Sequence, residues 1–79
     1  MMTEHYTYNR TWEEIHQLLD EAESDMHSHK SLSYLKGIST KERMQHMRDY
    51  KALQGVCNAL RWVLGHKGTT KMKVLTGED

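Results

Sequence analysis

Two histidines and an aspartate interrupt the apolar pattern of this chain where two helices are expected to face each other. Extending the apolar face of the predicted second helix back from Leu53 reaches Asp49 and His46. On the predicted first helix, the same extension beyond Met26 reaches His29. Imidazole and carboxylate groups bind zinc, and a histidine oriented by a carboxylate forms a general acid/base pair. This group is therefore the best candidate for chemistry in the sequence.

Four interpretations of the group are open. It is a metal site, although its spacing matches no known metal-binding signature. It is an acid/base pair, although no nucleophile or phosphate loop accompanies it. It is an anion pocket, in which protonated histidines and nearby cations hold a ligand. It is a hydrated or hydrogen-bonded patch, the interpretation that the sequence favours. We therefore assign no metal, no cofactor and no catalytic residue, and expect that the protein is not an enzyme.

The second helix is marked at both ends. Ser39 and Glu42 have the spacing of a capping box, in which each side chain bonds the backbone amide of the other residue. Gly65 follows the last apolar residue, where a left-handed backbone conformation ends many helices. These signals predict a helix over about residues 40–64.

The apolar surface of this second helix is wider than one packed neighbour needs. One face is expected to form the core and carries Leu53, Val56, Cys57, Leu60, Val63 and Leu64. A flank of mostly small residues lies beside it and is formed by Ala52, Gly55, Ala59 and Trp62. Together they span roughly 220°, against about 100° for a single packing stripe. We expect self-association through the flank; the alternative is that a neighbouring helix and a folded-back tail cover both faces.

A capping box at Thr11 and Glu14 starts the first helix, which is predicted over about residues 12–36 with a bend or end between residues 27 and 36. The link Gly37-Ile38 is too short for any arrangement but an antiparallel one. The fold class is therefore all-α, with one helical-hairpin domain over residues 1–79. Its arms, residues 1–10 and 66–79, favour β structure and either pair as a ribbon or stay disordered.

Composition favours oligomerisation and a reducing compartment. The chain has 79 residues, no Phe and only 37% hydrophobic residues, so the core of one copy is thin. The single cysteine, Cys57, cannot form an internal disulfide and is expected to be a small buried residue. Because no apolar run of 18 residues and no signal-peptide pattern is present, we expect a cytoplasmic protein and no membrane partner.

Charge is balanced overall but segregated along the chain. Lys+Arg and Asp+Glu both number 11, with acidic residues in the first helix and basic residues around the predicted hairpin tip. The simplest interpretation is a pair of solvated faces, and the alternative is an anion site, with tyrosines to stack on a nucleotide base. The candidate ligand-binding residues are His29, Lys30, Tyr34, Lys36, Lys41, Arg43, His46, Arg48, Asp49 and Tyr50. A pI of about 7.0 argues against general nucleic-acid binding.

The stretch 49–65, DYKALQGVCNALRWVLG, resembles the closing segment of small helical-hairpin proteins of tailed bacteriophages. This resemblance implies a phage accessory protein in the cytoplasm of a bacterial host. We expect a non-enzymatic homo-oligomer that binds and blocks a host factor, or sequesters an anionic, nucleotide-like defence signal. Two alternatives are a minor virion or assembly component and a His/Asp metal-binding protein.

Overall fold

The protein is a helical hairpin followed by one short helix. The structure, a computed structural model, describes residues 9–77. Within this range the elements are α1 (Trp12–Leu32), α2 (Thr40–Val63) and α3 (Lys71–Thr76), with no strand. His29 meets His46 near the turn, whereas Glu23 meets Arg61 farther from it, so α1 and α2 are antiparallel. The predicted all-α hairpin is confirmed.

Both predicted capping boxes form. Thr11 Oγ1 accepts from the Glu14 amide at 3.1 Å, and Glu14 Oε1 accepts from the Thr11 amide at 2.9 Å. Ser39 and Glu42 make the equivalent bonds at 3.1 and 3.2 Å. These reciprocal bonds pair amides that a helix start leaves free, so they fix the first residue of each long helix.

The first helix ends at Leu32, inside the expected window but before the predicted bound at residue 36. After Leu32 the backbone hydrogen bonds span three residues, as in a turn: the Tyr34 amide donates to Ser31 O at 3.1 Å and the Leu35 amide donates to Leu32 O at 3.2 Å. Gly37, at φ 86°, then reverses the chain direction in a conformation that strains other residues. The link is therefore longer than Gly37-Ile38 alone.

The second helix ends at Val63, one residue before its predicted end, with the expected glycine cap. Gly65 adopts φ 73°, and its amide donates to Trp62 O at 3.1 Å. The His66 amide donates to Arg61 O at 2.9 Å. These two bonds make a Schellman motif, which satisfies carbonyls left free at the helix end.

The C-terminal arm is helical where β structure was expected, so that prediction is wrong. Thr70 Oγ1 accepts from the Lys73 amide at 3.1 Å, and the Gly77 amide donates to Lys73 O at 2.9 Å. These end bonds, together with packing of α3 on α2, outweigh the β preference of Thr70 and Val74. The N-terminal segment 1–8 lies outside the described residues. None of the helices described is long and apolar enough to pass through a lipid bilayer.

The core lies between α1 and α2 and is small. Among the described residues, its buried apolar members are Leu19, Ala22, Met26 and Cys57. Partly buried residues of α2 and its C-cap pack around them: Tyr50, Leu53, Leu60 and the C-cap residue Leu64. Four of the six predicted core-face residues of α2 thus belong to the core cluster or its margin.

Candidate functional site

His29 and His46 are in contact, as the hairpin register predicts. Each comes from a different long helix, and their Nδ1 atoms lie 3.1 Å apart. Their ring centroids are 5.3 Å apart, with an angle of 38° between the planes. Because a neutral imidazole has one N–H and one lone pair, this contact requires one ring to donate and the other to accept.

Asp49 completes the group. Its Oδ2 lies 3.9 Å from His29 Nδ1, and its Oδ1 accepts from Gln45 Nε2 at 3.0 Å. One potential ligand atom from each of His29, His46 and Asp49 lies within 4.8 Å of the other two. All three residues are partly buried, so solvent reaches them. We call these three residues the His–His–Asp group.

Some basic residues of the predicted hairpin tip make contacts within the fold. Arg43 Nε donates to Ser33 O at 2.9 Å, and Arg43 Nη2 donates to Leu35 O at 3.4 Å. This side chain therefore closes the C-terminal end of α1. Lys30 Nζ lies 5.8 Å from the ring centroid of Tyr50, which is a cation–π distance.

The other candidate ligand residues lie apart from the His–His–Asp group or at the surface. Lys36 and Lys41 are exposed, and the Tyr34 side chain is 73% exposed. Arg48 borders a shallow apolar surface cavity with Met44 and Met47. The structure thus brings together His29, His46 and Asp49, whereas the basic candidate residues do not converge on them.

The outward side of α2 carries a strip of apolar residues. We call this surface the outer strip; it consists of Ala52, Gly55, Val56, Ala59, Trp62 and Val63. Ala59 follows the buried Cys57 by two residues, about 200° around the helix, so the strip points away from the core. Trp62 is 51% exposed, and Ala52 is exposed as well. The chain therefore does not bury the predicted oligomer flank.

Two residues expected in the core belong to this strip instead. Val56 and Val63 are 40% and 46% exposed. The face of α2 turned inward includes polar residues in their place: Gln54 and Asn58 are buried, and Arg61 pairs with Glu23 of α1. Lys51 Nζ donates to Gln54 Oε1 at 2.8 Å, which satisfies that buried oxygen. These partners explain why α2 is rotated relative to the expected core face.

The apolar surface continues from α2 onto α1. A cleft of about 500 Å³ opens beside Val63 and is lined by Ile15 and Leu18 of α1 and by Leu60 of α2. Arg10 and Glu14 border it and bond to each other at 3.4 Å. Leu18 is 50% exposed there. We call this cleft the Leu18 groove.

A polar cavity that sequence reasoning missed lies beside α3. It has a volume of about 410 Å³ and is bordered by Lys67, Lys73 and the ion pair between Arg61 and Glu23. Arg61 is ion-paired with Glu23, and Lys73 Nζ donates to Gly68 O at 2.9 Å, so the two lysines leave the cavity lining with a net positive charge. The residues come from three helices and a loop, and the cavity was missed because the C-terminal arm was not expected to fold back as a helix.

Comparisons of the chain with protein-family models, with curated proteins and with solved structures find no match. The resemblance to phage hairpin proteins therefore stays an expectation from the residues near the end of α2. Function is inferred from the surfaces of this chain: the outer strip, the Leu18 groove, the polar cavity and the His–His–Asp group.

Proposed function

We propose that this chain is a non-enzymatic binding protein that pairs with a second copy through the outer strip and, as a homo-oligomer, blocks a host protein. The observation that carries the proposal is the outer strip of α2, which is exposed at Ala52, Val56, Trp62 and Val63 and half-buried at Gly55 and Ala59. Exposed apolar patches of this kind in small proteins mark interaction surfaces.

The small core favours a second copy as the first partner. Four buried apolar side chains among the described residues are few for a chain of this length. Domains below roughly 80 residues commonly need a disulfide, a metal or oligomerisation in addition to their core. Cys57 is free and buried, so a disulfide does not provide that support. Covering the outer strip extends the apolar core across two copies.

The strip has the shape needed for close pairing of two α2 helices. Gly55 and Ala59 are one helical turn apart and carry little or no side chain, which allows helix axes to approach to about 8 Å. In an antiparallel pair centred between residues 58 and 59, each Trp62 lies opposite Gly55 of the other copy. The indole then fills the space above a residue without a side chain, as an anchor residue does in a protein interface.

In an α2–α2 pair, the Leu18 groove and the exposed methionines Met44 and Met47 lie toward the edges of the assembly and stay uncovered. Both are apolar surfaces bordered by charged side chains, a composition suited to a protein target. The phage setting comes from the sequence resemblance alone. It supports a host factor as the blocked protein.

Self-association is tested by the mass of the tag-free protein in solution. We expect the wild type to sediment as a dimer or larger species, and Ala59→Arg to shift the mass toward the monomer with helical circular dichroism retained. Gln17→Arg is the matched control, because it adds the same charge at an exposed position of α1. A monomeric wild type at high concentration, or an unchanged mass for Ala59→Arg, contradicts the proposal.

The target is tested with the same variants. Affinity capture from phage-infected bacteria is expected to recover a defined host protein with wild type and Gln17→Arg, and less of it with Ala59→Arg. Equal recovery with the wild type and both variants shows that target binding does not require self-association. Detection of the protein in purified virions, with none free in the lysate, supports the structural alternative instead.

An anionic ligand is a second candidate, and the polar cavity beside α3 is the observation that favours it. Lys67 and Lys73 border a space of about 410 Å³ beside the Arg61–Glu23 ion pair, and the Thr69 hydroxyl can donate a hydrogen bond there. Titration with a nucleotide such as ATP at rising salt tests it, because phosphate contacts weaken steeply with ionic strength. Lys67→Ala is expected to reduce binding, whereas Lys41→Ala at the hairpin tip leaves it unchanged; the reverse pattern places the anion site at the tip.

A further inference from the structure

We propose that the His–His–Asp group is a metal site, in which His29, His46 and Asp49 bind one zinc-like transition-metal ion between α1 and α2. The spacing of these residues in the sequence matched no metal signature, and we assigned no metal from it. The geometry gives the reason to assign one, because the ligands come from two helices and meet only through the hairpin register.

The two imidazole nitrogens lie within a few tenths of an ångström of the separation that zinc requires. Two nitrogens bound tetrahedrally to zinc at about 2.0–2.1 Å lie roughly 3.3–3.4 Å apart. His29 Nδ1 and His46 Nδ1 lie 3.1 Å apart. Without metal, one of these atoms carries a proton and donates to the other. Metal binding needs only that this proton moves to Nε2 of the same ring, which leaves both Nδ1 lone pairs free.

Asp49 has to move closer to the two imidazoles. Its Oδ2 lies 3.9 Å from His29 Nδ1, about half an ångström beyond the tetrahedral separation for zinc ligands. The three ligand atoms lie within 4.8 Å of one another, so the largest shortening that zinc requires is roughly 1.4 Å. His46 and Asp49 are three residues apart on α2, so they project from neighbouring positions of one helix face. Gln45 bonds the other carboxylate oxygen at 3.0 Å, which orients Oδ2 toward the imidazoles. Such outer bonds commonly position metal ligands.

The ligand set selects the class of metal. Two imidazoles and one carboxylate suit zinc and its transition-metal neighbours, whereas magnesium and calcium prefer oxygen ligands. Three protein ligands leave a fourth tetrahedral position for water, and the partial exposure of the His29 and Asp49 side chains, 29% and 40%, gives water access. The ion would join α1 to α2 near the turn, beyond the apolar core that ends around Met26.

The test is calorimetric titration of zinc chloride into tag-free protein that has been treated with a chelator and dialysed. We expect one zinc per chain, and at least tenfold weaker binding for His29→Ala and for His46→Ala. His27→Ala is the matched control: it removes an exposed histidine of α1 two residues from the site and is expected to leave the affinity unchanged. Gln45→Ala, which acts through Asp49, is expected to weaken binding by about tenfold.

A spectroscopic measurement keeps the test decisive if a histidine variant unfolds. Cobalt bound to the wild type is expected to show visible absorption typical of a four-coordinate site, with intensity lost in Asp49→Asn and kept in His27→Ala. Three outcomes overturn the proposal: no zinc binding by the folded wild type, undiminished affinity in both His29→Ala and His46→Ala, or equal loss in His27→Ala, which marks scattered surface histidines.

Discussion

Replacing Gly55 with leucine is expected to raise the stability of the single copy and to weaken its self-association. Gly55 lies inside α2, and a Cβ added there meets no other atom within 4 Å. The variant therefore gains helix propensity, about 0.8 kcal/mol, without a clash inside its own chain. For a domain of this size that gain raises Tm by roughly 3–6 °C.

The same leucine blocks the proposed pairing. In the antiparallel arrangement it occupies the space that Trp62 of the other copy fills. Overpacking of a close contact costs about 1–3 kcal/mol, and symmetry imposes it twice, so the association weakens by roughly 2–6 kcal/mol. That corresponds to an approximately 30-fold to 10⁴-fold higher dissociation constant.

Two measurements separate these effects. Thermal unfolding at the lowest practical concentration reports the stability of the single copy, and sedimentation equilibrium over a concentration series reports association. Ser24→Ala is the control, because it raises helix propensity at an exposed position of α1 and is expected to leave association unchanged. An unaltered dissociation constant for Gly55→Leu refutes the pairing geometry, and a lowered Tm at low concentration refutes the open surroundings of Gly55.

Three further predictions concern the single chain. Hydrogen bonds from the Ser39 amide, and then from its hydroxyl, hold the pKa of the Glu42 carboxyl below its ordinary 4.5. The ionised carboxylate therefore stabilises the fold above pH 4.5, and this contribution is lost as pH falls through the lowered pKa. Urea unfolding should show a stability difference between wild type and Glu42→Gln above pH 4.5 that vanishes in acid. Burial raises the pKa of the Cys57 thiol, so alkylation by iodoacetamide should be at least about a hundredfold slower in the native protein than in urea, and comparable rates contradict its buried position. Leu60→Ala should cost about 2 kcal/mol, the low end for leucine truncation, because Leu60 is only partly buried beside the Leu18 groove; urea unfolding measures this cost, and a value well below 1 kcal/mol contradicts its contact with the core.

Features set by local chemistry were predictable from the sequence. The capping boxes and the Gly65 cap depend on residues within a few positions of each other, and all form. The meeting of His29 with His46 was predictable too, because an antiparallel turn near Gly37 places these residues at the same level. A hairpin register follows from the turn position and requires no knowledge of the packed surface.

The face that α2 turns toward α1 was not predictable, because its apolar arc is wider than one neighbour covers. Hydrophobic periodicity cannot choose between the two halves of such an arc. The choice depends on long-range pairs: Glu23 with Arg61 draws a polar edge of α2 inward, which leaves Val56 and Val63 in the outer strip. The helix α3 was missed because the β preference of its residues was weighed without its cap at Thr70.

The metal site and the outer strip are expected to act independently, because they lie on different sides of α2. His46 and Asp49 project toward α1, whereas Ala59 projects away from it. Sites without shared contacts show nearly additive mutational effects, within about 0.5 kcal/mol. Ala59→Arg should therefore leave zinc affinity within about twofold of wild type, and His46→Ala should leave the sedimentation mass unchanged.

A joint loss in either variant contradicts this independence. If Ala59→Arg abolishes zinc binding while helicity is retained, the fourth ligand comes from a second copy and the ion belongs to the assembly. If His46→Ala dissociates the assembly while the helical signal remains, the joint between α1 and α2 sets the orientation of the outer strip. Each result assigns a different physical link between the turn and the outer surface of α2, so these two single variants distinguish a chain with two separate surfaces from one with a single coupled site.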